Sequence, residues 1–472
     1  MKFEQIKSRV DAYVDEVWED VVADIAALVA VESVEDTAAA LPGAPWGPGP
    51  REALTRALAI AERLGLEARD LAGAIGYGDV PGASEHVIAT IAHCDIVPLG
   101  GGWHFDPLAL TRREGYLIGR GVFDDKGPLV LSLWAAAFFR HLVEETGEPL
   151  PHTLRCIIGA NEETGMGDVD AYLDACGEPD FCFSPDADFP LICGEKGIFH
   201  GAFTSSFTLG QGGIVEMDGG TAANAIPGHA EALVRAEAAE LPEAAGVEVE
   251  LAGNGLVRVI ATGKGGHASL PAGTVNAIGI LAAYLLDNVE LTEDEVAYLT
   301  LMEKICSVSD GSGAGVACTD ARYGALTAIG GTIKCADGRL EQTIDIRYPD
   351  TVTGEGLADT LAAFASAHCA EFRVLHDAKP FYIEPSSPEI RALLDTYDEY
   401  TGGHAEPIVI GGGTYARHFA RACAFGPNEP GLELPDWVGY EHGPDEGISE
   451  ELMRRALKIY IVSIARLMEL EL

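Results

Sequence analysis

Basic residues are scarce in this chain. Lysine and arginine total 31 against 74 aspartates and glutamates, a formal charge of −43. A surface of that sign repels phosphate backbones and anionic lipid, so neither nucleic acid nor a membrane is an expected partner. Cations, divalent metals above all, are the partners it favours. Long apolar runs are also missing. The longest, residues 127–139, ends at Arg140 and falls short of the ~20 residues a spanning helix needs. The first twenty residues carry acids throughout and no secretory apolar stretch, so a cytoplasmic location is the expectation. Ten cysteines contain no CxxC pair. That excludes the usual zinc-knot spacing and favours reduced thiols over a disulfide framework. Core-forming residues are plentiful. Hydrophobic residues make up 47% of 472 positions, enough for more than one domain-sized unit.

Two helices are expected in the first ~70 residues, from apolar positions recurring at helical spacing: Val10, Val14, Val21, Ile25 and Leu28, then Leu54, Leu58, Ala61 and Leu64. Between them the four prolines of LPGAPWGPGP (41–50) predict a rigid loop. HVIATIAHCDIVP (86–98), HTLRCIIGANEETG (152–165) and FCFSPDADFP (181–190) read as strands that run into acids. The apolar segment 127–145 between the first two reads as a buried helix. This alternation predicts an α/β fold with a mostly parallel sheet and helices on both faces. Ligands of such sheets bind beyond the carboxyl ends of the strands. From about residue 194 to 380 the pattern changes to alternating strands and two helices, the second with Thr292 and Glu295 spaced for a capping box. The expected organisation is one domain in two pieces, 1–193 and 384–472, with an α+β domain, 194–383, inserted between them.

Polar residues cluster at the strand ends. His93 and Asp95 lie two apart on one strand, so both point to one side, and a metal-bound imidazole needs its other nitrogen held. In GRGVFDDKGP (119–128) the adjacent Asp124 and Asp125 repel each other unless a cation lies between them. Asp125 could alternatively cap the helix that follows. In NEETG (161–165) the side chains of Glu162 and Glu163 diverge, so one can ligate metal while the other handles protons. Asp186 in SPDA and His442 in EHGPDE (441–446) complete the group. Two histidines with several carboxylates suit two zinc ions, or cobalt or manganese. The glycines at 411–413 are not a phosphate cradle, because no Lys-Ser/Thr follows them and Tyr415 intervenes.

Taken in order, HCDIVP, GRGVFDDKGP, NEETG, FSPDADFP, GEKGIF, TAANAIP, GGHAS, IRYP, GGGTYAR and EHGPDE resemble the PepV-type di-zinc dipeptidases over nearly the whole chain. The wider superfamily holds carboxypeptidase G, aminoacylase, acetylornithine deacetylase and succinyl-diaminopimelate desuccinylase. SPDA, GGGTYAR and the length of the insertion favour the PepV-like branch. The resemblance implies a zinc-exopeptidase-like fold, two Zn2+ per chain, a small peptide substrate and a monomer. It implies that His93 and Asp186 bind one zinc, Glu163 and His442 the other, and that Asp124 bridges both. Glu162 is the implied general base, and Asp95 orients His93. His267 helps stabilise the oxyanion after lid closure. Asn224 and Arg347 hold the substrate, with Arg347 on its C-terminal carboxylate, and Gly413 and Thr414 also contact it. The implied reaction is dipeptide hydrolysis by a hydroxide shared between the ions. N-acyl amino acid hydrolysis, as in a desuccinylase, is the alternative.

Overall fold

The computed structural model describes residues 3–238 and 241–472. Residues 1–2, at the start of the expected two-piece domain, and 239–240, inside the expected insertion, lie outside the described residues. The chain divides into two compact units. One runs up to Cys193 and continues with Tyr382–Ile408 and Thr414–Leu472; the other is Gly194–Phe381 with Val409–Gly413.

The first unit is built on a mixed sheet. Its strands run in the order Glu67–Leu71, Ile75–Val80, Thr153–Gly159, Val87–His93, Phe181–Ser184 and Ala422–Ala424. The last four are mutually parallel. The flanking pairs are antiparallel, Ile75–Val80 against Thr153–Gly159 and Ala424 against Ile192. The expected parallel character is therefore confined to the centre. Glu67–Leu71 and Ile75–Val80 are joined by a tight turn, which permits only antiparallel pairing, whereas the central strands are separated by crossovers.

Those crossovers place helices on both faces. Helix Lys126–Thr146 leads from Val87–His93 to Thr153–Gly159, and helix Gly167–Cys176 leads on to Phe181–Ser184. Cys156 Sγ meets the Ser132 carbonyl of the first helix. Its neighbour Arg155 points the other way, to Tyr172 of the second, as the period of two requires. The apolar segment noted in the sequence is a helix buried on nearly all sides. It packs between the sheet and helices Phe3–Val29 and Glu450–Leu467, so no polar face is needed. The expected loop at 41–50 is shorter than its prolines suggest. Helix Pro48–Arg63 begins inside it, because proline costs nothing in the first turn, where the N–H has no helical partner.

The second unit is an eight-stranded antiparallel sheet ordered Val247–Gly253, Leu256–Thr262, His229–Arg235, Ile214–Gly219, Thr327–Ala336, Arg339–Tyr348, Gly197–Ser205 and Ala370–Ala378. Helices Ala277–Asn288, Glu293–Cys306 and Gly354–Ser366 share one core with it, centred on residues such as Phe203, Leu281, Tyr298 and Ile344. The capping box of Thr292 and Glu295 is formed.

Candidate metal centre

Three adjacent parallel strands end at His93, Gly159 and Ser184. The residues that follow each strand therefore meet beyond one edge of the sheet. Burying so many apolar strand residues in register brings Asp95, Glu162, Glu163 and Asp186 together. The loop ending at Asp125 and the turn carrying His442 close the group.

Asp124 lies at its middle. One of its oxygens, Oδ1, is 3.0 Å from His93 Nε2. The other, Oδ2, is 2.9 Å from His442 Nε2. Each histidine has a second carboxylate: Asp186 Oδ2 is 3.6 Å from His93 Nε2, and Glu163 Oε2 is 3.2 Å from His442 Nε2. Ligand atoms of His93, Asp124 and Glu163 lie within 4.8 Å of one another, as do those of His93, Asp125 and Asp186. Neither Glu162 nor His442 belongs to these trios; His442 joins the group through Asp124 and Glu163, and Glu162 feels the charges of Asp186, Glu163 and Asp124.

The electrostatics show a deficit of positive charge. Burial, and then the charge of Asp124, pushes the Asp186 carboxyl up to about 7. Burial and neighbouring carboxylates also hold Glu162 well above the usual range, and raise Glu163. Burial opposes ionisation of Asp124 as well, but hydrogen bonds from His442 and His93 outweigh it and lower that carboxyl. The same contacts with Asp124 and Glu163 raise His442 to about 11. Glu163 Oε1 and Asp125 Oδ1 are buried without a hydrogen-bond partner, an arrangement that is costly unless a cation faces them. Imidazole nitrogens and hard carboxylate oxygens in this ratio fit a pair of divalent ions.

Two aspartates hold the end of the His93 strand. Asp125 occupies the N-cap position of helix Lys126–Thr146, but its side chain does not cap the helix. Its Oδ2 accepts the backbone N–H of His93 at 3.0 Å instead, and so ties the aspartate pair to the strand end. Asp95 holds His93 with its main chain more closely than with its carboxylate. Nδ1 of His93 is 3.1 Å from the Asp95 carbonyl oxygen and 3.4 Å from Oδ1. The Asp95 carboxylate accepts the backbone N–H groups of Glu162 and Glu163, at 3.2 and 3.1 Å.

His442 has a φ of 63°, and the segment carrying it is pinned on its C-terminal side. The carboxylate of Asp445 accepts the N–H groups of His104 and Phe105. Glu446, fully buried, accepts from the backbone of Gly121, Phe123 and Asp124 and from the Arg120 guanidinium at 2.6 Å. Arg120 also donates to the His442 carbonyl. This pair joins the Asp124 loop to the His442 turn. Sequence reasoning missed both residues; the closing glutamate of EHGPDE was the available signal. Glu446→Ala leaves the Arg120 charge buried without its carboxylate partner, and the expected loss is ~3–5 kcal/mol of folding stability, measurable by denaturant unfolding. A loss below 1 kcal/mol would mean the pair is not the joint described.

The remaining candidates divide between the units. In the second, His267 and Ala225 are register partners in a two-stranded ribbon, and the carbonyl of Asn224 accepts the N–H of Ala268. Asn224 and His267 are thus neighbours, both exposed, and His267 Nδ1 is 2.7 Å from Ser269 Oγ. Arg347 is buried, with its guanidinium held bidentately by Asp345 at 2.8 and 2.9 Å and by the Gly411 carbonyl at 2.9 Å. It is fixed in place before any ligand arrives. Gly413 belongs to this unit and Thr414 to the other. Thr414 is buried, and its hydroxyl caps a short helical turn by accepting the N–H of Ala416.

A histidine and carboxylate set of this kind, at the strand ends of an α/β sheet, is that of a metal-dependent hydrolase. The chain belongs to peptidase family M20/M25/M40, whose family model matches residues 89–466, and it is a metallopeptidase. It is 31% identical over 467 residues to "Putative dipeptidase YtjP" of Bacillus subtilis (strain 168), covering 95% of this chain and 97% of that one. In fold it is similar to the di-peptidase Dug1p from Saccharomyces cerevisiae, with a TM-score of 0.60 at 14% identity and full coverage of both chains. It is also similar to the YXEP protein of Bacillus subtilis, described as a dinuclear metal binding peptidase. There the TM-score is 0.51 at 11% identity, covering 97% of this chain and 98% of that one. Among the described residues, no helix is long and apolar enough to cross a membrane.

Proposed function

We propose that this metallopeptidase hydrolyses dipeptides. The observation that carries the reading is Asp124, whose two oxygens each face a different histidine. His93 and Asp186 would hold one divalent ion and Glu163 and His442 a second, with Asp124 shared. Zinc is the first choice, and cobalt or manganese suit the same donors. When bound, such a pair would supply Lewis acidity for the scissile carbonyl and for activation of a water.

The rest of the chemistry falls to the chain. Glu162 takes the proton from the attacking water and delivers it to the leaving amine. A carboxyl whose pKa is raised by burial among like charges is suited to holding that proton between the two steps. Asp95 sets the backbone from which Glu162 projects. His267 is assigned the oxyanion, and Asn224, Arg347, Gly413 and Thr414 the substrate. An immobilised guanidinium such as Arg347 suits a free C-terminal carboxylate, because little freedom is lost on binding. The names of the curated relatives support a dipeptide over an N-acyl amino acid.

A substrate panel tests the assignment. Dipeptides are the expected substrates, set against N-succinyl and N-acetyl amino acids; turnover of the acylated compounds alone would overturn it. Dialysis against a chelator is expected to abolish turnover, with zinc, cobalt or manganese restoring it. Full activity of metal-free protein would contradict the ligand assignment. Binding of dipeptides to metal-loaded protein without cleavage would instead indicate a binding protein.

A further inference from the structure

Four consecutive backbone N–H groups, those of residues 160–163, end on two buried carboxylates. Asp95 takes Glu162 and Glu163. Asp168 takes Ala160 at 2.7 Å and Asn161 at 3.2 Å, both through Oδ2. The same Oδ2 accepts the hydroxyl of Tyr415 at 2.6 Å. Both Asp168 and Tyr415 are fully buried, and neither has a part in the chemistry above. Tyr415 directly follows Thr414, and its ring stands edge-on to the imidazole of His93, with centroids 6.3 Å apart. Room for its hydroxyl exists because position 159 is glycine: a Cβ there would lie 2.0 Å from the oxygen. The strand end that launches the catalytic loop has thus given up its side chain to admit this phenol.

We infer that Tyr415 and Asp168 are positioning residues for Glu162. A carboxylate accepting two backbone N–H groups fixes the start of the loop through charge-assisted bonds. The phenolic donor fixes that carboxylate in turn, since Asp168 Oδ1 has no partner of its own. Without the hydroxyl, Asp168 keeps its helix and its two backbone partners but loses the shortest of the three contacts that hold its Oδ2. The loop start then gains freedom just before the residue that carries the proton. Proton transfer depends on sub-ångström placement, so the effect belongs in kcat. Tyr415 also links the Thr414 segment to the glutamate loop, giving that segment a direct mechanical connection to the proton carrier.

The inference rests on the reading of Glu162 as the proton carrier, so the test includes that residue. Tyr415→Phe removes one oxygen and keeps the ring against His93. Expected are a kcat lowered about tenfold or more, a KM within about twofold of the parent, and unchanged metal content by elemental analysis. In a Glu162→Gln background, Tyr415→Phe is expected to cost nothing further, because its effect passes through the missing carboxylate. Asp168→Asn is expected to lower kcat in the same way and, combined with Tyr415→Phe, to be no worse than either alone. An unchanged kcat in Tyr415→Phe, when Glu162→Gln is inactive, would overturn the inference and leave the role of Glu162 intact. A drop in metal content would overturn it as well, by showing that the pair acts on Glu163. Full activity of Glu162→Gln would instead remove the reading on which it rests.

Discussion

Glu162→Gln is expected to keep both metal ions and to lose ~10²–10⁴-fold in kcat. The substitution retains size and backbone contacts, and the two N–H groups donated to Asp95 come from the main chain, so the loop remains anchored. What disappears is the carboxylate proposed to accept and return a proton. The loss should fall on kcat and kcat/KM alike, because the interaction is made only as the reaction proceeds. Metal content measured on the same sample separates this from a ligand effect. Retained turnover would mean that another group is the base. Loss of metal would mean that Glu162 is a ligand and that its neighbour has been given the wrong task.

Asp124→Ala is expected to have the opposite signature. His93 and His442 lie on opposite sides of this one carboxylate, so its removal strips each half of the site of its shared donor. Metal stoichiometry should fall together with activity, and excess metal should restore activity only in part, if at all. The fold itself should survive, since Asp125 still binds the His93 N–H and Glu446 binds backbone at Gly121 and Phe123, none of which needs the Asp124 side chain. A variant that keeps full metal content would show that Asp124 is not the shared ligand.

Much of the site could be read from the chain because its chemistry is carried by residue types that are expensive to bury. Paired acids at Asp124–Asp125 and Glu162–Glu163, each next to an apolar segment, stand out as carboxylates in need of a cation. Strand and helix alternation, with the apolar segment that became helix Lys126–Thr146, suffices to put strand ends at one edge. Supporting contacts were less legible, because they depend on register and rotamer. Asp168 falls in the first turn of helix Gly167–Cys176 and reads as an ordinary acid at a helix start. Tyr415 reads as core. Only the pairing of Ala422–Ala424 beside Phe181–Ser184 brings its segment back to the His93 strand. The Asp125 side chain serves the His93 N–H and not the helix start, where the Gly127 N–H already donates to the Gly121 carbonyl and position 128 is a proline with no N–H to satisfy. The antiparallel flanks of the sheet were hidden for a similar reason: strand patterns carry period and burial, not direction.

Anomalous diffraction from crystals of the metal-loaded protein, recorded on either side of the absorption edge of the bound metal, tests the central assignment most directly. Two peaks per chain are expected, one beside His93 and Asp186 and one beside His442 and Glu163, with Asp124 in contact with both. A single peak away from Asp124, or none among these five side chains, would contradict it.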